Sequence, residues 1–428
     1  MDALDELASR QLIMMDEENY WFKHDLIRAV VEDNLNFGRK KLLHRRAGEV
    51  LVDLKSENPA QIAFHFIKAQ ETKKATRYLL QAGDQARKLF GHQEAVKHYQ
   101  QALNYQKKHE NFEGAARTLM RLGLAYQIGY DHSKAQDAYQ ESFNYRQQKL
   151  RTPIRNKSIN PRPLRLSIHS YRASGQLLLK NYQDLDPSSL NSSQILMKQL
   201  FSSFINIGSN RLIQPEVARD WMISDDGRSY TFHLRKDATW SDGEPVTAYD
   251  FELAWNRVND ISKGFIPFKR LPTLTGARVR ASNQHTLEIK LREPVEHLIN
   301  LFGHEKLSPI PSHILKKYDD AWTQPENFIT NGPFQLEEWA PGQCITLERS
   351  PSYFGNFKGN LSRVKIFQKK LSPADQLAAY QDGEIDILAL QPETYQARFQ
   401  HEEEYHKIDN ATTLFLGFGK QETLFHDP

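Results

Sequence analysis

Apolar positions in the first 150 or so residues recur with the period of an α-helix, and few prolines interrupt them. Two stretches of this part share a register at an offset of 40 residues, so that small and aromatic positions coincide: Gly83 with Gly123, Ala95 with Ala135, and Tyr99 with Tyr139. Stacked helical hairpins need small residues where helices cross and aromatics that fill gaps, because one hairpin cannot bury its own apolar face. The pattern predicts an all-α repeat domain over residues 1–152.

The pattern changes after a proline-rich stretch, residues 153–163, which we predict to be a linker. Beyond it, residues 164–168 and 229–234 alternate between apolar and polar positions, as half-buried strands do. Helical segments lie between such strands. The second unit is therefore predicted to be a mixed α and β domain.

The helical part resembles tetratricopeptide-like repeats, although its offset exceeds the usual ~34 residues. Residues 22–28, 41–48 and 63–66 are similar to the junction that follows the ATPase core in large bacterial signal-transducing ATPases. No Gly-x-x-x-x-Gly-Lys-Ser/Thr phosphate loop occurs, so we assign no nucleotide binding and no cofactor. The resemblance implies a helical scaffold that contacts a protein partner.

Charge and composition exclude several classes of function. Hydrophobic residues make up 39% and charged residues 25% of the chain, which is typical of globular domains. Residues 1–155 carry 25 Lys and Arg against 20 Asp and Glu, so this part is +5 and the remainder −2. Clusters such as Arg39-Lys40-Lys41 are expected to be solvated helix surface, since no basic stripe with interleaved aromatics indicates nucleic-acid binding. Cys344 is the single cysteine, so no intrachain disulfide forms.

Location and chemistry are also constrained. The sequence contains no run of 18 apolar residues, so no membrane span is expected. The acidic start, Met1-Asp2-Ala3-Leu4-Asp5-Glu6, does not match a secretory signal, which predicts a cytoplasmic protein with a periplasmic location as the alternative. No nucleophile elbow is present, and His401 and His406 are five residues apart rather than the four of a zinc-binding helix. We expect no enzyme activity and no metal.

Local sequence signals predict turns and helix ends in the second unit. Asp226-Gly227 and Asp242-Gly243 are turn pairs, and Thr247 or Asp250 is expected to begin a helix. Gly383 is expected to end another helix.

Residues 215–221, 224–227 and 230–251 closely resemble the signature of the family 5 bacterial extracellular solute-binding proteins, which include oligopeptide-binding receptors. Residues 185–187, before this signature, and 287–294, 330–339, 347–354 and 378–386, after it, keep the family's order. The resemblance implies an α/β periplasmic-binding-protein-like (type II) domain over residues 164–428, truncated relative to the family. One lobe would comprise 164–201 and 309–412, with 202–308 as an inserted subdomain and 413–428 as the start of a further lobe that this sequence lacks.

The resemblance also implies candidate ligand contacts. Polar residues after Leu185-Asp186-Pro187 match a ligand-contacting loop of the family: Ser188, Ser189, Asn191 and Ser192. Two aromatics, Phe265 and Phe268, match a position near the cleft. Leu414, Phe415 and Gly417 lie on the strand that would enter the missing lobe. An ordinary polar loop and core-filling aromatics remain the alternatives. Asn331 and Gly332 are hinge or turn candidates where the chain re-enters the first lobe.

Two functions remain open. The preferred one is a cytoplasmic sensor, in which a peptide-type solute-binding domain is fused to helical repeats that relay ligand occupancy to a protein partner. The alternative is an oligopeptide-binding receptor of an ABC importer, which would meet an ABC permease only if it were exported. Either way a peptide or other small solute would occupy the cleft, with help from the missing lobe.

Overall fold

The computed structural model describes residues 2–15, 20–149, 162–167, 185–187, 194–208, 212–259, 276–295, 298–355, 357, 359–368, 372–388, 399, 401 and 405. Most of the predicted linker lies outside these residues. In the described part, no helix has the length and apolar character needed to cross a bilayer.

The part before residue 150 is helical apart from one short hairpin. Its helices are α1 Asp2–Ser9, α2 Asp25–Asn34, α3 Phe37–Asp53, α4 Pro59–Lys68, α5 Thr72–Lys88, α6 His92–Lys108, α7 Phe112–Ile128 and α8 His132–Lys149. Strands β1 Ile13–Met15 and β2 Tyr20–Phe22 pair antiparallel. From α3 onwards each helix packs on the next, which gives a stack of antiparallel neighbours.

Helices α5 to α8 begin at intervals of 20 residues, and equivalent turns join them. The residue that leaves each preceding helix has a positive φ: Gln70 (58°), Phe90 (61°), Glu110 (53°) and Tyr130 (59°). In each case the next amide donates to a carbonyl five residues back, as from Gly91 to Ala86 and from Asp131 to Tyr126, both at 2.9 Å. This is the Schellman arrangement that closes a helix end. The predicted 40-residue offset is thus matched by backbone geometry in two successive hairpins.

The Gly–Tyr coincidence in the sequence is a packing contact in three dimensions. A Cβ added at Gly83 would overlap the Tyr99 ring, and one added at Gly123 would overlap the Tyr139 ring in the same way. Both tyrosines are fully buried. Because a glycine surface lets the neighbouring helix approach closely, these two residues set the spacing within each hairpin.

The second part contains two four-stranded sheets. Its strands are β3 Leu164–Ser167, β4 Ile205–Ile207, β5 Ile213–Pro215, β6 Ala218–Ile223, β7 Ser229–Leu234, β8 Arg278–Asn283, β9 Thr286–Lys290, β10 Phe334–Ala340, β11 Cys344–Arg349 and β12 Arg363–Phe367. Its helices are α9 Gln194–Leu200, α10 Ala248–Asn259, α11 Leu298–Leu301, α12 Ser312–Tyr318 and α13 Pro373–Gln381.

One sheet has the order β10-β11-β12-β3 and the other β6-β7-β9-β8. In the first, β3 is parallel to β12, which brings the start of the unit beside strands almost 200 residues later. The second is antiparallel throughout, and β7 alternates half-buried with buried positions as predicted. The β6-β7-β9-β8 sheet thus lies, in chain order, between β3 and strands β10 to β12 of the other sheet, while the predicted lobes and domain boundaries stay a prediction.

The predicted turns and helix ends are confirmed. Gly227 and Gly243 have φ values of 66° and 93°, and Gly383 ends α13 with a φ of 69°. At the start of α10, the Asp250 carboxylate accepts hydrogen bonds from the Thr247 amide (2.8 Å) and hydroxyl (3.0 Å). The aspartate therefore fixes the first turn of the helix, as a capping box does.

Candidate functional site

The structure locates the two hinge candidates, whereas the other predicted contacts fall on residues that it does not describe. Ser188, Ser189, Asn191, Ser192, Phe265, Phe268, Leu414, Phe415 and Gly417 all lie outside the described residues. Their proposed contact with ligand therefore stays a prediction.

Asn331 and Gly332 join the start of β10 to the end of α9. The Asn331 side chain accepts a hydrogen bond from the Ser202 amide (3.0 Å) and donates one to the Ser202 carbonyl (3.1 Å). It therefore satisfies both backbone polar groups of this buried residue. The Gly332 amide donates to Leu200 (2.8 Å), and a Cβ at Gly332 would lie 2.5 Å from the carbonyl oxygen of Gln199. Close backbone approach, rather than a positive φ, is what requires glycine here.

The segment before the predicted ligand loop is anchored to α10. Leu185, Asp186 and Pro187 are buried. The Asp186 carboxylate accepts from the Arg257 guanidinium on α10 at 2.8 Å, and both side chains are largely shielded from solvent. Because breaking one partner of such a pair leaves a buried charge, this contact holds the entrance of the loop firmly.

A polar cluster centred on Glu216 lies beside Asn331. The Glu216 carboxylate accepts from the Ser202 hydroxyl (2.9 Å) and from the Tyr353 hydroxyl (3.4 Å). Burial raises the pKa of Glu216 to about 7, although these hydrogen bonds oppose the rise. Burial and the neighbouring carboxylate raise the pKa of Tyr353 to about 12. Glu216 thus changes charge near neutral pH while Tyr353 remains a hydroxyl donor.

A small cavity of about 50 Å³ opens next to this carboxylate. Its lining is mixed polar and apolar: Lys198, Phe201, Ser203, Ile205, Asn206, Ile207, Glu216, Gly303, Glu305 and Ser308. The Ser203 and Ser308 hydroxyls lie 2.9 Å apart in its wall. The volume admits one or two water molecules and is far below the few hundred Å³ of a small-ligand pocket. We therefore do not place the peptide or other solute that the sequence analysis expects in this cavity.

The helical part packs directly on the β6-β7-β9-β8 sheet. Trp221 on β6 is fully buried, and its ring meets Tyr139 edge-on at 5.2 Å and Phe143 at 4.8 Å between centroids. Residues of α7, α8 and both sheets belong to one continuous hydrophobic core. The two regions are thus joined by apolar packing and not merely by the chain between them.

Buried hydrogen bonds fix the alignment of this contact. Gln127 on α7 is fully buried, donates to the Tyr230 hydroxyl (3.2 Å) and accepts from the Tyr139 hydroxyl (3.1 Å). On α8, Gln136 accepts from the Ile223 amide at 2.9 Å. Each group would be costly to bury alone, so the set specifies one relative placement of helices and sheet.

Sequence reasoning missed this contact. At the 40-residue offset Gln127 corresponds to Arg87 and Phe143 to Leu103, and neither difference by itself indicates a neighbouring sheet. Trp221 falls within the recognised signature, but its partner could be identified only once β6 was placed beside α8.

Comparison with known proteins bears on the second region. The family model described as bacterial extracellular solute-binding proteins, family 5 Middle, matches residues 213–428. The periplasmic oligopeptide-binding protein OppA of Escherichia coli (strain K12) is 31% identical over 285 residues, which cover 60% of this chain and 51% of that protein. The probable deoxycholate-binding periplasmic protein YgiS of the same strain is 33% identical over 221 residues, which cover 47% of this chain and 41% of that protein.

Among solved structures, the pheromone receptor PrgZ, described with its mode of peptide binding, matches with a TM-score of 0.50 and 22% identity. The match covers 57% of this chain and 50% of that one, and at this identity it supports the fold alone. The chain spans about half the length of the curated relatives that it matches.

Proposed function

Because this chain belongs to the family 5 bacterial extracellular solute-binding proteins, we propose that it is a peptide-type solute-binding sensor whose helical region relays ligand occupancy to a protein partner. The observation that carries the proposal is the shared core of α7, α8 and β6 around Trp221. Any movement of the inserted subdomain must carry the helical stack with it, because a close-packed core transmits displacement instead of absorbing it.

The names of two relatives support a small solute, and in particular a peptide, as the proposed ligand. OppA is named for oligopeptides and YgiS for deoxycholate, both small solutes. An extended peptide would be held mainly through backbone hydrogen bonds, which supply affinity without reading side chains. The serine and asparagine loop at 188–192, the aromatics Phe265 and Phe268, and Leu414, Phe415 and Gly417 are the proposed contacts. Asn331 and Gly332 are the proposed hinge. The relatives are named as binding proteins, which favours a non-catalytic role.

The helical region is proposed to be a tetratricopeptide-like repeat scaffold. Equivalent turns recur every 20 residues, and equivalent Gly–Tyr contacts recur every 40 residues. Because one hairpin contains two helices, these spacings support a repeating unit of one hairpin. Stacks of this kind present extended surfaces to other proteins, which is the role expected of a relay.

A receptor of an ABC importer is the second candidate and accounts for the family match equally well. The names of OppA and YgiS place both in the periplasm, and this favours export. Cell fractionation separates the candidates. Recovery of the native protein outside the cytoplasmic membrane would exclude the cytoplasmic sensor, whereas recovery inside would exclude the importer receptor.

Isothermal titration calorimetry tests the ligand class. Short peptides of mixed sequence are titrated into this chain and into a version that continues through a further lobe, with deoxycholate and a nickel chelate as comparison ligands. We expect peptide binding by the longer version. Binding of deoxycholate or the nickel chelate without any peptide would show that the proposed substrate class is wrong.

The relay is tested by hydrogen exchange on the peptide-bound longer version. Occupancy should change amide protection in α7 and α8, and Trp221→Phe should weaken this response while leaving peptide affinity nearly unchanged. Peptide binding with no change in the helices would contradict the sensor and leave only a binding role.

A further inference from the structure

The first 54 residues expose an unusual amount of apolar surface. In the part of the chain that the structure describes, 13 large apolar side chains are exposed within residues 7–54, against 8 over all later residues. Soluble monomers rarely expose large apolar patches, and the exposed apolar side chains of the described residues are concentrated in this part of the chain. Some element is therefore expected to cover the surface.

Helix α2 contributes an apolar and acidic component. Leu26 is 75% exposed, and Val30 and Val31 are about half exposed. Its described contacts are mainly with β2, and it does not join any of the hydrophobic core clusters. The helix sequence DLIRAVVEDN contains three acidic residues and one basic residue, a net charge of −2.

Helix α3 contributes an apolar and basic component. One side packs on α4, where a Cβ added at Gly48 would lie 3.0 Å from the Phe66 ring. The other side exposes Leu42, Leu43 and Val50, which at this spacing form one stripe along the helix. The helix contains five Lys and Arg residues against two acidic residues, a net charge of +3.

Two of the arginines of α3 carry no ion pair within the part of the chain that the structure describes. Arg45 pairs with Glu49 and Glu71 at the edge of the α4 contact. Arg39 and Arg46 lie on the exposed stripe and form no ion pair with any residue that the structure describes. An apolar stripe with unpaired arginines fits a helix that is apolar and acidic, which is the character of α2.

We propose that this end of the stack is a self-association surface, in which α2 of one copy packs on the exposed stripe of α3 of a second copy. A two-fold axis forms the contact twice, since an isologous interface places the same two surfaces opposite each other reciprocally. The proposal is independent of the ligand, because the opposite end of the stack is the one that meets the sheet.

Sedimentation equilibrium over a wide concentration range tests the association. Wild type should dimerise, and Leu43→Ser with Val50→Ser should raise the dimer dissociation constant about tenfold or more. Leu89→Ser with Phe90→Ser is the matched control, since these side chains are 75% and 78% exposed at the α5–α6 turn, away from the surface. Its dissociation constant should equal that of wild type. Wild type that stays monomeric at all concentrations would overturn the proposal.

Charge reversal distinguishes the proposed pairing from unspecific association. Arg39→Glu with Arg46→Glu reverses the stripe, and Asp25→Lys with Asp33→Lys reverses α2. Each variant alone should be monomeric, because both contacts of its homodimer place like charges together. A mixture of the two should form a heterodimer, in which both contacts are complementary again. Failure of the mixture to associate would overturn the pairing, even if wild type dimerises.

Discussion

The two helical hairpins α5–α6 and α7–α8 have the same backbone geometry but different surroundings. Tyr99 and Tyr139 meet their glycines in the same way. The Tyr99 hydroxyl donates to Asp84 at 2.7 Å, and Arg121 also pairs with Asp84 at a site that solvent partly reaches. The Tyr139 hydroxyl instead donates to Gln127, and its ring lies against Trp221. The shared Gly–Tyr contact therefore specifies how each hairpin closes, while the outer face of each hairpin specifies its neighbour.

The difference follows from what each hairpin must bury. A hairpin inside a stack is covered by the next hairpin and can keep a charged pair at its edge. The α7–α8 hairpin is covered by β6, so its Gln127 amide and Tyr139 hydroxyl are buried there and are paired with each other. This explains why Gln127, a neutral residue with both a donor and an acceptor, lies between two tyrosine hydroxyls.

The largest expected effect comes from removing the residue that the two regions share. Trp221→Ala should lower the free energy of unfolding by about 3–5 kcal/mol, since it leaves a cavity between Tyr139, Phe143 and the sheet. Chemical denaturation measures the change. Met222→Ala is the control, because the neighbouring side chain points to the other face and is 45% exposed. An equal effect of both substitutions would contradict the shared core.

Alanine at the two equivalent glycines compares the hairpins directly. Gly123→Ala should cost about 2–3 kcal/mol, because the Tyr139 ring overlaps the position of the new Cβ and is restrained by its contacts with Trp221 and Gln127. Gly83→Ala should cost about 1 kcal/mol less, since the Tyr99 hydroxyl donates to the partly exposed Asp84 and its ring is less restrained. Helix propensity favours alanine equally at both sites. Thermal and chemical unfolding of the two variants would measure the difference. Identical losses would mean that the sheet does not restrain Tyr139.

Removing the buried amide tests the hydrogen-bonded part of the contact. Gln127→Leu should destabilise the protein by about 2 kcal/mol, because the Tyr139 and Tyr230 hydroxyls lose a buried partner. Gln100→Leu is the control, since Gln100 donates to the Tyr126 hydroxyl (2.7 Å) at an exposed site. It should change stability by less than about 0.5 kcal/mol. Comparable losses would show that burial does not distinguish the two amides.

A pH series tests whether the regions unfold together. The folded pKa of Glu216 is raised to about 7 from 4.5, so the folded state holds a proton that the unfolded state releases between these values. Stability should therefore fall as pH rises from about 5 to 8, by about 1–2 kcal/mol after allowance for partial solvent access. Glu216→Gln should remove this slope.

The same series can be followed with separate probes of helix and of tryptophan environment. Because the regions share a core, both probes should report one transition that shifts with pH in wild type. A helical transition that does not respond to pH, while the tryptophan signal does, would show that the regions unfold independently.

Local features of the fold were predictable because local rules decide them. Asp226-Gly227, Asp242-Gly243 and the glycine after α13 occupy positive φ, where few other residues are tolerated. The family signature at residues 215–251 was likewise recognised before the structure, and the family model covers it. The candidate site was less accessible to sequence reasoning. Asn331 could be placed at a junction, but its two hydrogen bonds to Ser202 depend on a residue 129 positions away.

By itself, the sequence determined the helical periodicity, the 40-residue coincidence of glycine and tyrosine, the turns of the second region and its family, because each depends on residues close along the chain. Only the tertiary structure decided that Trp221 meets Tyr139 and Phe143, that Gln127 joins two tyrosines, and that Glu216 titrates near neutral pH. These features arise from burial between segments distant in sequence, and burial changes what a side chain contacts and how strongly it holds a proton.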